Sequence, residues 1–157
     1  MGSARTRLAV GATVVAGLVV AHSTVVQDFA QPQSRNISTV MKRIYTGTDG
    51  KSHVQNIVLD SKTVMEKVTG IEVRITPPGR FSDWHVGPKR QYIINLSGHG
   101  QIGLNEETID LPPGSVEYID DLTGRGHTTR TTGTADRVSL WLTFEDQHQK
   151  IGPLEAK

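Results

Sequence analysis

The stretch "RQYIINLSGHGQIGLNEETIDLPPGSVEYID", Arg90 to Asp120, decides the fold class. An apolar run, Gln91 to Ser97, stops at Gly98. Two shorter runs, "GQIGL" and "ETIDL", flank Asn105-Glu106 and read as a hairpin. Pro112-Pro113-Gly114 is a sharp turn, and "SVEYID" is another strand. No window here sustains a helical period, so the segment is read as successive short strands.

The same punctuation extends in both directions. Upstream, "ISTVMKRIY" and "HVQNIVL" are strand candidates around the turn "TGTDGKS". "DSKTVMEKV" is either one helical turn or irregular. "IEVRIT" alternates, with Ile71, Val73 and Ile75 on one face and Glu72, Arg74 and Thr76 on the other. Downstream, "RVSLWLTFE" puts Val138, Leu140, Leu142 and Phe144 on one face. Closely spaced short strands predict an all-β sandwich or jelly-roll barrel. At 157 residues the chain is long enough for one well-filled domain.

The first residues differ in character. Arg5 and Arg7 precede the uncharged run Leu8 to Ala21, and small residues flank His22. Residues 1–23 therefore read as a secretory signal cleaved near Ser23, as an uncleaved anchor, or as a structural element. Residues 24–36 read as a polar linker and residues 37–148 as the β domain. With a signal the protein is secreted or periplasmic, and otherwise it is cytoplasmic. Membrane contact is expected only through an uncleaved N-terminal segment. Asn36 and Asn95 both open glycosylation sequons, and of the two only Asn36 is expected to be accessible.

Composition removes several function classes. There is no cysteine, which excludes disulfides, thiolate catalysis and cysteine-ligated zinc. Net charge is +1 and no basic run interleaves with aromatics, so no nucleic-acid partner is expected. No strand-turn-helix setting presents a serine beside histidine and aspartate, so a nucleophilic triad is unsupported. Lys89 and Arg90 are expected to be solvated. Trp84, Tyr92 and Trp141 are read as core or rim packing, any one of which could stack on a ligand.

The spacing from Gly79 to Gly98 resembles the first signature of the cupin family: Gly, five residues, His-x-His, three or four residues, Glu, six residues, Gly. Gly79 is followed by five residues and His85. Gly87 stands at the second histidine position and Gln91 at the glutamate position, six residues before Gly98. Gly114, "SVEYI", Gly124 and His127 resemble the second signature, with "DDLT" two residues longer than the usual step and Thr131 at the closing Asn position. The resemblance spans about residues 70 to 145 and implies a single-domain cupin-type jelly-roll β-barrel.

The resemblance further implies a site. His85 and position 87 would aim at one interior point, Gln91 would return toward it on the neighbouring strand, and His127 would arrive from the opposing sheet. Imidazoles with one carboxylate suit a divalent iron, zinc, manganese or nickel. His85, Gln91 and His127 are thus the candidate metal ligands. Gln91 is equally a pocket hydrogen-bonder, because its amide both donates and accepts. The set carries no negative charge, so affinity is reduced unless Glu117, Asp120 or Asp121 restores a carboxylate. Two function classes follow. One is a metal-dependent enzyme of oxygenase, isomerase or lyase type acting on a small organic substrate. The other is a metal-free cupin that binds or senses a small molecule. A barrel retained only for assembly is a third reading. Pairing through edge strands makes a homodimer possible.

Overall fold

The computed structural model describes residues 40–59 and 66–154. The expected signal or anchor, the linker, the Asn36 sequon and most of "DSKTVMEKV" lie outside the described residues. Ten strands are present: β1 (Val40–Thr46), β2 (Ser52–Val58), β3 (Val68–Thr76), β4 (Phe81–His85), β5 (Gln91–Ser97), β6 (His99–Gly103), β7 (Thr108–Leu111), β8 (Val116–Asp120), β9 (His127–Thr132) and β10 (Arg137–Phe144).

They form two sheets. The larger has the order β2-β1-β8-β5-β10-β3 and the smaller β4-β9-β6-β7. From β3 onward the chain crosses repeatedly between them, which is the wrapping of a jelly roll. The fold is all-β and cupin-like, with two facing sheets rather than a hydrogen-bonded closed barrel. The pairing of β1 with β8 is parallel, and the other ladders among the described residues are antiparallel. No described helix is long and apolar enough to cross a membrane.

Strand alternation divides the larger sheet into two working faces. Ile44, Ile93 and Ile119 point toward the small sheet and pack with Ile102, Leu104, Ile109 and Leu111. Met41, Tyr92, Tyr118 and Phe144 form a second cluster on the opposite face, with Leu59 and Leu154 packed against it. Segments before β3 and after β10 therefore supply cover for the outer face.

That second core contains the least expected feature. Arg90 is fully buried, not solvated. Its Nε donates to Asp120 Oδ1 at 2.8 Å, Nη1 to the Asp146 carbonyl at 2.7 Å and Nη2 to Glu66 Oε1 at 3.1 Å and to the Tyr118 hydroxyl. Arg43, also fully buried, approaches Asp120 Oδ2 through Nε at 3.0 Å and through Nη2. Its remaining donors reach the carbonyls of Lys150 at 2.5 Å and Gly152 at 2.6 Å. Two guanidiniums thus share one buried carboxylate. Both are tolerable there because the chain segment after β10 supplies backbone acceptors.

Candidate functional site

The site lies between the sheets, in a cavity of about 280 Å³. His85, Gln91 and His127 all border it. The strand assignments differ from the expected ones in a specific way. β4 and β5 belong to different sheets, so Gln91 faces His85 across the cavity rather than from a neighbouring strand. His127 does not come from the opposing sheet: it is the direct cross-strand partner of His85 on β9. The two rings lie 4.6 Å apart, tilted by 56°.

Two glycines fix this arrangement. Gly126 has φ of +76°, and a Cβ there would strike the His85 carbonyl oxygen, so a side chain would push β9 away from β4. Gly87 explains the missing second histidine. It is buried, its amide donates to the Asp121 carbonyl at 2.9 Å, and a Cβ at this position would collide with the Ile119 side chain. A ligand at position 87 has no room.

Both histidines are oriented from behind. His85 Nδ1 lies 2.6 Å from the Asp83 carbonyl oxygen, which only accepts, so Nδ1 is the donor of this contact. His127 Nδ1 lies 2.6 Å from Asp121 Oδ2, which also accepts from Ser52 Oγ at 2.7 Å. A carboxylate behind an imidazole holds the ring's orientation and tautomer, leaving Nε2 turned to the cavity side. Gln91 is buried, and its Nε2 makes no hydrogen bond within the described protein. A buried amide donor with no partner costs about 1–3 kcal/mol, so a donor left free beside a cavity marks a place for an acceptor.

The three carboxylates considered from sequence take separate roles. Asp120 faces outward to Arg43 and Arg90. Asp121 stands behind His127. Glu117 faces inward, borders the cavity and bonds Arg137 Nη2 at 2.6 Å. Burial pushes the Glu117 carboxyl up to about 7, against the opposing pull of Arg137 and His127. Because the folded state holds this proton more tightly than the unfolded chain, whose ordinary value is 4.5, its contribution is complete below pH 4.5. It is lost as pH rises to about 7 and is flat above. The shift corresponds to a loss on the order of 3 kcal/mol. Urea unfolding of the natural chain and of Glu117→Gln should therefore diverge in slope between pH 4.5 and 7.5. Parallel curves would place water beside Glu117.

Sequence reasoning missed the arginines. Arg74, Arg80, Arg130 and Arg137 all border the cavity, where Glu117, paired with Arg137, is the one lining carboxylate among the described residues, and Arg74 pairs with Glu72. Arg74 and Arg137 come from β3 and β10, whose inward faces are the polar ones. The alternation in "IEVRIT" was legible, but it does not say which face turns inward. Arg74 lies 3.6 Å over the Trp141 ring, so Trp141 stacks on an arginine at the cavity wall. Tyr92 is in the outer-face core, and Trp84 is exposed beneath Arg125.

A divalent metal fits this lining poorly. Among the described residues no three His, Cys, Asp or Glu side chains cluster to hold an ion. His85, His127 and the neutral Gln91 carry no negative charge, the Glu117 carboxyl is engaged by Arg137, and the Arg80 and Arg130 guanidiniums in the same wall repel a dication.

No family model matches the chain, and no curated protein matches it. Several solved structures are similar to it over part of its length. A cupin domain from Bordetella pertussis Tohama I is 16% identical, with 54% of this chain and 88% of that chain covered and a TM-score of 0.39. A predicted oxalate decarboxylase from Thermotoga maritima is 18% identical over 68% of this chain and 95% of that chain, at 0.39. A putative sugar phosphate isomerase from Acidithiobacillus ferrooxidans is 21% identical over 50% of this chain and 51% of that chain, at 0.41. The jelly-roll wrapping of the sheets, the spacing from Gly79 to Gly98, and the pairing of His85 with His127 on neighbouring strands beside the inter-sheet cavity give the described residues a cupin-like fold.

Proposed function

We propose that the cavity takes a small organic anion and that its chemistry is proton transfer at His127. The observation carrying the reading is the donor-rich wall: four arginines and the unpartnered Gln91 amide, in a space sized for a small molecule. A carboxylate or phosphate group on the ligand would satisfy Gln91 Nε2 and offset the excess of guanidinium charge. His127 is the candidate general base. Its Nδ1 proton is held on Asp121, so Nε2 can accept a proton, and Asp121 stabilises the imidazolium that results. Glu117, titrating near neutrality inside the same cavity, is the second group able to carry a proton. An isomerase or lyase acting next to an acidic group needs no more than this. Binding without turnover is the alternative within the same site.

Calorimetric titration with oxalate, inorganic phosphate and a sugar phosphate, beside an uncharged sugar, tests the ligand class. At least one anion is expected to bind and to raise the melting temperature by several degrees. Gln91→Leu should weaken that binding at least tenfold, the value of one hydrogen bond to a charged group. Equal binding of the uncharged sugar, or no anion bound by the natural chain, would sink the proposal.

A further inference from the structure

We infer that Arg137 is the residue that anchors a carboxylate ligand in the cavity, and that Glu117 takes up a proton as the ligand arrives. This rests on the cavity taking an anion, as proposed above, and adds which arginine holds it and what becomes of the charge. Of the arginines at the cavity, Arg80 and Arg130 are exposed, and Arg74 is engaged by Glu72 at 2.7 Å and stacked on Trp141. Arg137 is buried and held in place. Its Nε donates to Asn95 Oδ1 at 3.2 Å. Asn95, fully buried, is fixed in turn because its amide donates to the carbonyls of Gly98 at 3.0 Å and Leu111 at 2.9 Å. Gly100 lets the guanidinium lie close to β6, since a Cβ there would stand 3.1 Å from Arg137 Nε and Nη1. Nη2 donates to Glu117 Oε1 at 2.6 Å. A guanidinium has five N–H donors, so this one keeps donors that have no partner among the described residues. A fork already fixed and desolvated takes a carboxylate with little further loss of side-chain freedom.

Glu117 and Arg137 balance each other, so a ligand carboxylate on the same guanidinium adds one uncompensated negative charge where water reaches poorly. A like charge at that range raises the affinity of a carboxylate for a proton. Glu117 is the group placed to take it. It is 1% exposed, burial already pushes it up to about 7, and it shares the guanidinium directly. Its charged and titratable surroundings are Arg137 on β10, His127 on β9 and Lys42, its cross-strand partner on β1, whose Nζ donates to Asn56 Oδ1 at 2.7 Å. On β5 it faces the uncharged Ile93. His85, Arg74, Arg80 and Arg130 border the same cavity. His127 is the rival site for the proton, and the experiment is chosen to tell the two apart.

Calorimetric titration with acetate, lactate, pyruvate and oxalate, in pairs of buffers with different ionisation enthalpies, counts the protons taken up. These carboxylates are ionised from pH 6 upward, so the proton must settle on the protein. At least one is expected to bind with uptake of about 0.9 proton at pH 8 and about 0.5 at pH 7. Its apparent affinity should fall about tenfold per unit above pH 7.5. Glu117→Gln should bind it without proton uptake and with an affinity level from pH 7 to 8.5. Glu117→Gln combined with Arg137→Met removes both buried charges, so its fold is spared, and it should bind at least tenfold more weakly than Glu117→Gln alone. Arg80→Met should weaken binding less than about threefold, as expected of an exposed charge. Binding without uptake at pH 8, uptake persisting in Glu117→Gln and so falling on His127, or a loss at Arg80→Met equal to that at Arg137 would overturn the inference and leave the anion reading standing. Phosphate bound with no carboxylate bound would do the same. No anion bound at all would sink both.

Discussion

Asp120→Ala is expected to cost the domain about 3–5 kcal/mol, the usual consequence of removing one member of a buried ion pair. Asp120 is fully buried and is shared by Arg43 and Arg90, both also fully buried. The loss is therefore of two pairings at once, and both guanidiniums stay behind in a site that water does not reach. Against a typical domain stability of about 5–15 kcal/mol, this removes about a fifth or more of the total and, at the lower end of that range, leaves a substantial part of the chain unfolded at 37 °C. Urea midpoints and melting temperatures measure it. The combined change Arg43→Met with Asp120→Leu should cost clearly less than the sum of its parts, since it removes one of the two stranded guanidiniums along with their shared partner. A single-variant cost below about 1 kcal/mol would mean that the network is hydrated and behaves like a surface pair.

The second large effect is expected from Gln91→Glu, a change of one atom in the cavity wall. It replaces the free donor with a negative charge where the proposed ligand is itself negative. Losing a hydrogen bond and adding a like charge should weaken anion binding about a hundredfold, corresponding to about 3 kcal/mol. Under the metal-binding reading of His85, Gln91 and His127 the same change completes a two-histidine, one-carboxylate set suited to ferrous iron. The variant would then take up one equivalent of iron, zinc, manganese or nickel and gain thermal stability from it. Metal content and melting temperature of this variant separate the two readings. Stoichiometric metal in Gln91→Glu, with anion binding unchanged, would overturn the anion reading.

Much of the architecture could be read from local signals. The runs ending at Gly98 and turning at Asn105-Glu106 and Pro112-Pro113-Gly114 became β5 through β8 with boundaries shifted by a residue or so. β9 was not legible: "HTTRTT" is polar throughout, and it forms a strand because β4 and β6 flank it. The spacing of His85 and His127 found the cavity, but strand parity could not assign the sheet. Parity fixes which residues share a face, and sheet membership depends on where the chain crosses over. Arg90 looked like an ordinary charged residue at the start of a strand. Its burial depends on Asp120, Glu66 and Asp146, distant in sequence, and no local pattern marks such a meeting. The four cavity arginines escaped for a related reason, since a polar face on an alternating strand is by default assigned to solvent.

Arg43 sets the order in which the chain can be completed. Its last two hydrogen-bond acceptors, the carbonyls of Lys150 and Gly152, lie 107 and 109 positions further along. On the ribosome, β1 emerges while the residues that satisfy it have yet to be joined. Met41, Ile44 and their neighbours can begin to associate with β2, but the guanidinium beside them must stay in contact with water until Gly152 has left the exit tunnel. The first of the described strands is thus sealed by a segment more than 100 residues further along. A nascent chain stalled before that point would keep its outer apolar surface open, with chaperones as its natural partners until release.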